Sequence, residues 1–363
     1  MATSSRLFRF ACKKSELRLD ITLQCGQSFR WREVNPGQWR GMIGNRVWTL
    51  SQDDTHIICN QHPLEQDSST QQEEKTKRTN SRNKSRSRPA ASTTKPSERE
   101  NNTETLLSTE KIEALMNNYF QLDVSLEKMY ALWSEADQNF ACVSPQFPGV
   151  RMLNQDPVEN VFSFICSSNN NIQRITMLVD RLCKLYGSPV ATVDGTTWNS
   201  FPRVTSLAKS GVEETLREHG FGYRAKFISK SAQMILEKGG EEWLFSLRKL
   251  PYEECHAQLM TLNGIGAKVS DCICLMSMGH LGAIPVDTHV FQIAARDYLP
   301  HLRSCKTVTD KVYKEIANHF RQIFGEYAGW AHSVLFSADL KKFDSLKNDE
   351  SEEQNQKKKK KKK

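Results

Sequence analysis

A chain of 363 residues, 38% of them hydrophobic, holds two or three domains' worth of material and enough apolar side chains for a sizeable core. Its net charge of +8 suggests a polyanionic partner, but Lys357 to Lys363 supply seven of those charges, so any nucleic-acid surface on the folded part must be a local patch. No apolar run approaches the roughly 18 residues of a membrane span, Met1 to Leu23 lacks a secretory core, and the ten cysteines contain no C-x-x-C; a soluble intracellular chain with thiols as small core residues is expected.

In chain order, "WRGMIG", "RVWTLS" and "HIICN" alternate like strands and are separated by Gly44-Asn45 and Asp53-Asp54 turns, which predicts a small antiparallel sheet before residue 62. Residues 66–105 are polar and basic with no aromatic residue and are expected to be a disordered insertion. Helical periodicity returns at "STEKIEALMNNYF", with Ile112, Leu115, Met116 and Tyr119 on one face, and at "SLEKMYALW". Asp156-Pro157 then reads as an N-cap and first helical turn. The next helix is striped by Ile172, Ile175, Leu178, Val179, Leu182 and Leu185 and stops at Gly187. Further helices fit "GYRAKFISKSAQMILEKGG", "PYEECHAQLMTL", "AKVSDCICLMSMG", "DTHVFQIAARDYL", "TVTDKVYKEIANHF" and "GEYAGWAHSVLFSADL".

The segment "NGIGAKVSDC" between two of these helices is a helix-hairpin-helix, with Gly264 and Gly266 suited to positive φ and to close approach of a DNA phosphate. Lys268 falls in the first helical turn, where a cation is unfavourable. It is either one more phosphate contact or a nucleophile. Nineteen residues on, "PVDTHVF" places Asp287 before an apolar helix, where an aspartate alone would be an N-cap.

That lysine, the hairpin and the Pro-Val-Asp together resemble the helix-hairpin-helix DNA glycosylase superfamily. "QSFRW", "SSNNNI", "GFGYRAKF" and "AGWAHSVLFSADL" extend the resemblance to eukaryotic 8-oxoguanine DNA glycosylase/AP lyase over nearly the whole chain except 66–105 and the lysine tail. The iron–sulfur cysteine cluster of the endonuclease III branch has no counterpart here. The resemblance implies that Lys268 is the nucleophile and Asp287 the catalytic carboxylate, with burial and the helix terminus expected to lower the lysine pKa. It assigns the carbonyl of Gly26 to the N7–H that distinguishes 8-oxoguanine from guanine, and it sandwiches the base between Phe336 and Cys272. Met276, one turn past Cys272, is expected in the same pocket. Tyr223, Asn169, Arg174 and Arg224 would fill the vacated stack and hold the estranged cytosine. Gly264, Gly266, His289 and Asp339 would face the DNA backbone, the last two as a hydrogen-bonded pair.

One position departs from the family: His332 stands where better-known members carry the glutamine that reads the flipped base. A neutral imidazole replaces part of that contact and an imidazolium none of it, so lesion affinity is expected to fall with pH near 6.5 unless His332 faces away.

The expected fold class is α+β: an N-terminal antiparallel-sheet domain (1–65 and 106–143), then a mainly α-helical domain (144–343) containing the hairpin at about 251–279, then a disordered lysine-rich tail (344–363). The expected function is a bifunctional glycosylase/lyase removing 8-oxoguanine opposite cytosine from duplex DNA. It needs no metal or other cofactor and no membrane, and it acts as a monomer in the nucleus, with a mitochondrial form left open. The alternatives are a same-fold glycosylase for another lesion and a non-catalytic helix-hairpin-helix DNA-binding protein, which borohydride trapping separates.

Overall fold

The computed structural model describes residues 6–64 and 106–343; the expected insertion and lysine tail lie outside the described residues. Five strands form the N-terminal sheet: β1 (Arg6–Ala11), β2 (Arg32–Asn35), β3 (Gln38–Ile43), β4 (Arg46–Gln52) and β5 (His56–Gln61). Their order is β1-β5-β4-β3-β2, antiparallel throughout. The three central strands are those the alternation indicates; β1 and β2 are additional. A second hairpin, β6 (Pro189–Val193) with β7 (Thr196–Asn199), lies within the helical part and was not expected.

The sheet packs on the helix Thr109–Phe120, where Ile112, Met116, Tyr119 and Phe120 meet Trp31, Trp39, Trp48 and Leu50 in one core. A larger core holds the remaining helices. Leu126, Trp133 and Phe140 belong to that larger core, so helices Leu126–Ala136 and Gln138–Val143, expected within the N-terminal domain at 106–143, pack against the helical bundle. Burial decides the matter: these residues contact the helical bundle, and chain order follows a different line from packing. "DTHVFQIAARDYL" also differs, being α-helical over Thr288–Ile293 and continuing as a π-helix over Ala294–Tyr298. Among the described residues no helix is long and apolar enough to cross a membrane. Every cysteine is a free thiol, and eight of the ten are buried; Cys142 is exposed and Cys305 half-buried.

A stapled segment joins the two cores. Arg151, only 1% exposed, donates to the carbonyls of Gln121 and Val124 at 2.7 and 2.8 Å and pairs with Glu16. Gln27 reaches the same strand-like stretch: its amide donates to the Arg151 carbonyl (2.8 Å), its side-chain oxygen accepts from the Leu153 amide (2.9 Å), and its backbone carbonyl accepts from Gln155 Nε2 (2.9 Å). Removing a buried donor of this kind would leave unmet carbonyls, and these bonds tie the residue after Gly26 to the 151–155 segment.

Candidate active site

The hairpin joins helix Tyr252–Met260 to helix Ala267–Ser277, hereafter the lysine helix. Gly264 takes φ +82°, and a Cβ there would lie 2.5 Å from the Phe227 ring, so both backbone and packing require glycine. The expectation of positive φ at Gly266 is not met: it is the N-cap of the lysine helix with extended backbone (φ −97°, ψ −178°), and nothing stands within 4 Å of where its Cβ would be. That open approach leaves the first amides of the helix free to meet an anion. Ser231 Oγ holds the turn by donating to the Asn263 carbonyl at 2.7 Å.

Lys268, one residue inside the helix, does not point at that approach. It lines a pocket shared with Gly26, Cys272, Met276, Asp287, His332 and Phe336, which are the base-pocket and catalytic residues expected from sequence. Cys25, Gln27, Phe164, Leu275, Pro285, Val290, Ser333 and Ser337 complete the lining and were not anticipated. Of these Phe164 matters most to the lysine, whose Nζ lies 5.4 Å from its ring centroid, a cation–π contact. The pocket opens through Gly26, Lys268, Asp287 and Phe336 into a groove bordered by Asn169, Gln173, His289, Val308 and Lys342.

The lysine pKa moves opposite to expectation. Burial works against the ammonium, but a hydrogen bond to the Cys272 sulfur one turn along the helix and the charge of the Asp287 carboxylate favour it, and the amine is held above its ordinary range. Cys272 itself is pushed up to about 11 by burial, against the pull of Lys268, so it faces the base site as a neutral thiol in the neutral range. Asp287 combines both readings considered for it. Its Oδ1 caps the helix Thr288–Ile293 by accepting from the His289 and Val290 amides at 2.9 and 3.0 Å, and its Oδ2 has no hydrogen-bond partner among the described residues.

Two further groups in the pocket are unsatisfied. Gly26 sits at φ +87°, with a hypothetical Cβ 3.3 Å from Ile172, and its carbonyl accepts no hydrogen bond among the described residues. His332 is 3% exposed between Phe320 and Phe336, and neither ring nitrogen has a partner. It therefore does not face away. Burial pushes its pKa down to about 4 despite the pull of Asp287. The expected loss of lesion affinity near pH 6.5 changes accordingly: the ring is held neutral there, so affinity measured in the Lys268→Gln background should be flat between about pH 5.5 and about pH 8 as far as His332 is concerned.

The acid effect appears instead in stability. Below its ordinary value near 6.5 the unfolded chain binds a proton that the folded chain refuses until about 4, so the folded state loses stability as pH falls through that window. His332→Gln should remove about 2 to 3 kcal/mol of the acid destabilisation seen between about pH 7 and about pH 4.5. Denaturant unfolding of both proteins at the two pH values measures this, and parallel losses would place the titration elsewhere.

The residues assigned to the vacated stack cluster at one turn. The helix Pro157–Ser167 ends before Asn169, which is exposed and left-handed at φ +45°. Asn170 donates to the Cys166 carbonyl at 2.9 Å, and Asn171 caps the next helix by accepting from the Arg174 amide at 3.0 Å. Two asparagines thus build the turn and the third is left to face the groove. Arg174 is exposed beside it. Tyr223 is 44% exposed and donates to the Ser168 carbonyl at 3.0 Å. Arg224 is neither surface charge nor free. It is buried, stacks 4.6 Å from the Tyr223 centroid and donates to the carbonyls of Ser168 and Asn169, so it shapes the turn. His289 and Asp339 come together, but at 4.0 Å they do not make the expected hydrogen bond; Asp339 is taken by Arg296 at 2.9 Å.

The comparisons with known proteins agree with this geometry. The family model described as "8-oxoguanine DNA glycosylase, N-terminal domain" matches residues 9–161, and "HhH-GPD superfamily base excision DNA repair protein" matches residues 162–324. The chain is 35% identical over 343 residues to N-glycosylase/DNA lyase OGG1 of Arabidopsis thaliana, covering 93% of this chain and 81% of that protein. It is 34% identical over 393 residues to the N-glycosylase/DNA lyase of Saccharomyces cerevisiae, covering 96% and 94%. In fold it is similar to the apo 8-oxoguanine glycosylase/lyase of Clostridium acetobutylicum, with TM-score 0.68, 24% identity and coverage of 89% and 93%. The two family models together run from residue 9 to residue 324, across the sheet and the hairpin, and the protein belongs to the 8-oxoguanine DNA glycosylase family of N-glycosylase/DNA lyases, in the helix-hairpin-helix superfamily of base excision repair.

Proposed function

We propose that this protein excises 8-oxoguanine paired with cytosine in duplex DNA and then nicks the strand at the abasic site, with Lys268 as nucleophile. One observation supports this above the others: an amine and a carboxylate share a buried pocket with an unpaired carbonyl and an unpaired, neutral imidazole. The target base must leave the stack to reach them. The Gly26 carbonyl suits the N7–H of 8-oxoguanine and opposes the N7 lone pair of guanine, leaving a buried acceptor unmet with the wrong base. His332 offers one donor and one acceptor to the base's pairing edge. Phe336 and Cys272 flank the ring plane, with Met276 beside them. Asn169, Arg174, Tyr223 and Arg224 take the gap and the estranged cytosine, Arg224 by fixing the turn. Gly264, Gly266, His289 and Asp339 border the DNA backbone.

In the chemical step the neutral amine attacks C1′ as the glycosidic bond breaks and the base departs, and Asp287 stabilises positive charge developing on the sugar. Ring opening gives an imine on Lys268, which acidifies the C2′ proton and allows β-elimination of the 3′ phosphate. The protein acts as a monomer, and Lys357 to Lys363 direct it to the nucleus. The test is borohydride trapping: the wild type should form a covalent adduct on an 8-oxoguanine:cytosine duplex and none on guanine:cytosine. An adduct confined to a different lesion would overturn the substrate, and no adduct on any lesion would overturn the chemistry.

A further inference from the structure

The lysine helix and the loop carrying Asp287 are tied together by a side chain that lines neither the pocket nor the groove. Asp271 lies three residues after Lys268, fully buried and outside the pocket lining. Its Oδ1 accepts from the Tyr252 hydroxyl at 2.6 Å, and its Oδ2 accepts from the Tyr313 hydroxyl. His256 Nε2 approaches Oδ1 at 3.7 Å, and the Arg321 guanidinium, stacked 5.7 Å from the Tyr252 centroid, lies nearby. Tyr313 stands on the helix Asp310–Phe324, and its oxygen also receives the Val286 amide at 3.3 Å and lies 3.2 Å from the Ile284 carbonyl.

A phenol has a single hydrogen, and the Asp271 carboxyl oxygen is nearer to it than the Ile284 carbonyl. Tyr313 therefore donates to Asp271 and accepts from Val286, the residue immediately before Asp287. The connection runs from the lysine helix through Asp271 and Tyr313 to the backbone of the aspartate loop, across three elements distant in sequence. Tyr252 bonds the same carboxylate from the hairpin's first helix but has no bond to the 284–286 loop.

We propose that Tyr313 is a positioning residue for the reaction, setting the spacing between Lys268 and Asp287 without touching DNA; this rests on the roles proposed above for those two groups. Two groups acting on one sugar carbon need their separation held closely, and a displacement of about 1 Å costs on the order of 100-fold in rate. Tyr313→Phe keeps the ring and removes the link. Tyr252→Phe removes an equivalent bond to Asp271 and leaves the link in place, which makes it the matched control.

The experiment uses the full chain on an 8-oxoguanine:cytosine duplex, with single-turnover excision, lesion-duplex Kd, melting temperature and hydrogen exchange at the Val286 amide measured for each variant. Tyr313→Phe should lower the single-turnover rate about 10- to 100-fold with Kd nearly unchanged, and should speed exchange at Val286. Tyr252→Phe should match it in melting temperature and keep the rate and the Val286 protection of the wild type. A wild-type rate in Tyr313→Phe overturns the proposal, as do equal rate losses in the two variants. Should Tyr313→Phe not fold, Asp271→Asn replaces it, since two hydroxyls then compete for one amide oxygen; a reduced rate at constant Kd supports the link and an unchanged rate overturns it. Lys268→Gln run alongside separates the two levels: if it still traps DNA, the nucleophile assignment fails, whereas if it is dead and Tyr313→Phe is fast, the positioning role alone fails.

Discussion

Lys268→Gln is expected to abolish both base excision and the borohydride adduct, a loss of at least about 1,000-fold in single-turnover rate, while lesion-duplex affinity stays within a few fold of wild type. Glutamine retains most of the stem packed against Phe164 and Cys272 but carries no nucleophilic amine. The elevated lysine pKa adds a second signature. In the unbound protein the amine is held protonated, so wild-type kcat/KM should climb about tenfold per pH unit through the neutral range, because the free enzyme's reactive fraction is the small unprotonated one. An early plateau would mean that DNA meets an amine already neutral. Residual trapping in Lys268→Gln would point to the other lysine bordering the groove, Lys342.

Asp287→Asn should slow the chemical step by about 100- to 10,000-fold with Kd and melting temperature little changed. Asparagine is as good an N-cap as aspartate, and its carbonyl can take over the His289 and Val290 amides now held by Oδ1. Its NH2 group then occupies the place of the unpartnered Oδ2, presenting a donor where an anion is needed. Single-turnover rates and thermal unfolding of the same preparation decide between the readings. A drop in melting temperature at undiminished rate would reduce Asp287 to a helix cap.

What the sequence made legible was local. The hairpin follows from Gly264 and Gly266 between two amphipathic runs, the cap at Asp156 from one Asp-Pro pair, and β3 to β5 from alternation between turns. The strands it did not reveal are short or paired far along the chain: β2 is four mostly exposed residues, three of them polar, and β1 finds its partner only in His56 to Gln61. The β6–β7 turn at Asp194-Gly195 carries a recognised hairpin dipeptide, but runs of five and four residues give little periodicity. The pocket residues were reached by resemblance, and they do converge. Their electrostatics were not readable, because a pKa depends on neighbours supplied by other elements. The Cys272 sulfur and Asp287 reverse the expected direction at Lys268, and enclosure by Phe320 and Phe336 moves His332 out of the physiological range. The link through Tyr313 lay equally out of reach, since a tyrosine on an amphipathic helix announces no partner.

The pocket's last wall is the helix Ala328–Asp339, which brings His332 and Phe336 and is anchored by Trp330 Nε1 donating to the Val150 carbonyl at 2.8 Å. During synthesis this helix leaves the ribosome after Lys268, Asp287 and the sheet have all emerged, and N-terminal parts of a chain fold first. A nascent chain therefore carries Lys268 with no enclosed chamber around it. The complete pocket arrives late in translation, and a chain ended by a premature stop before residue 328 holds Lys268 without His332 and Phe336.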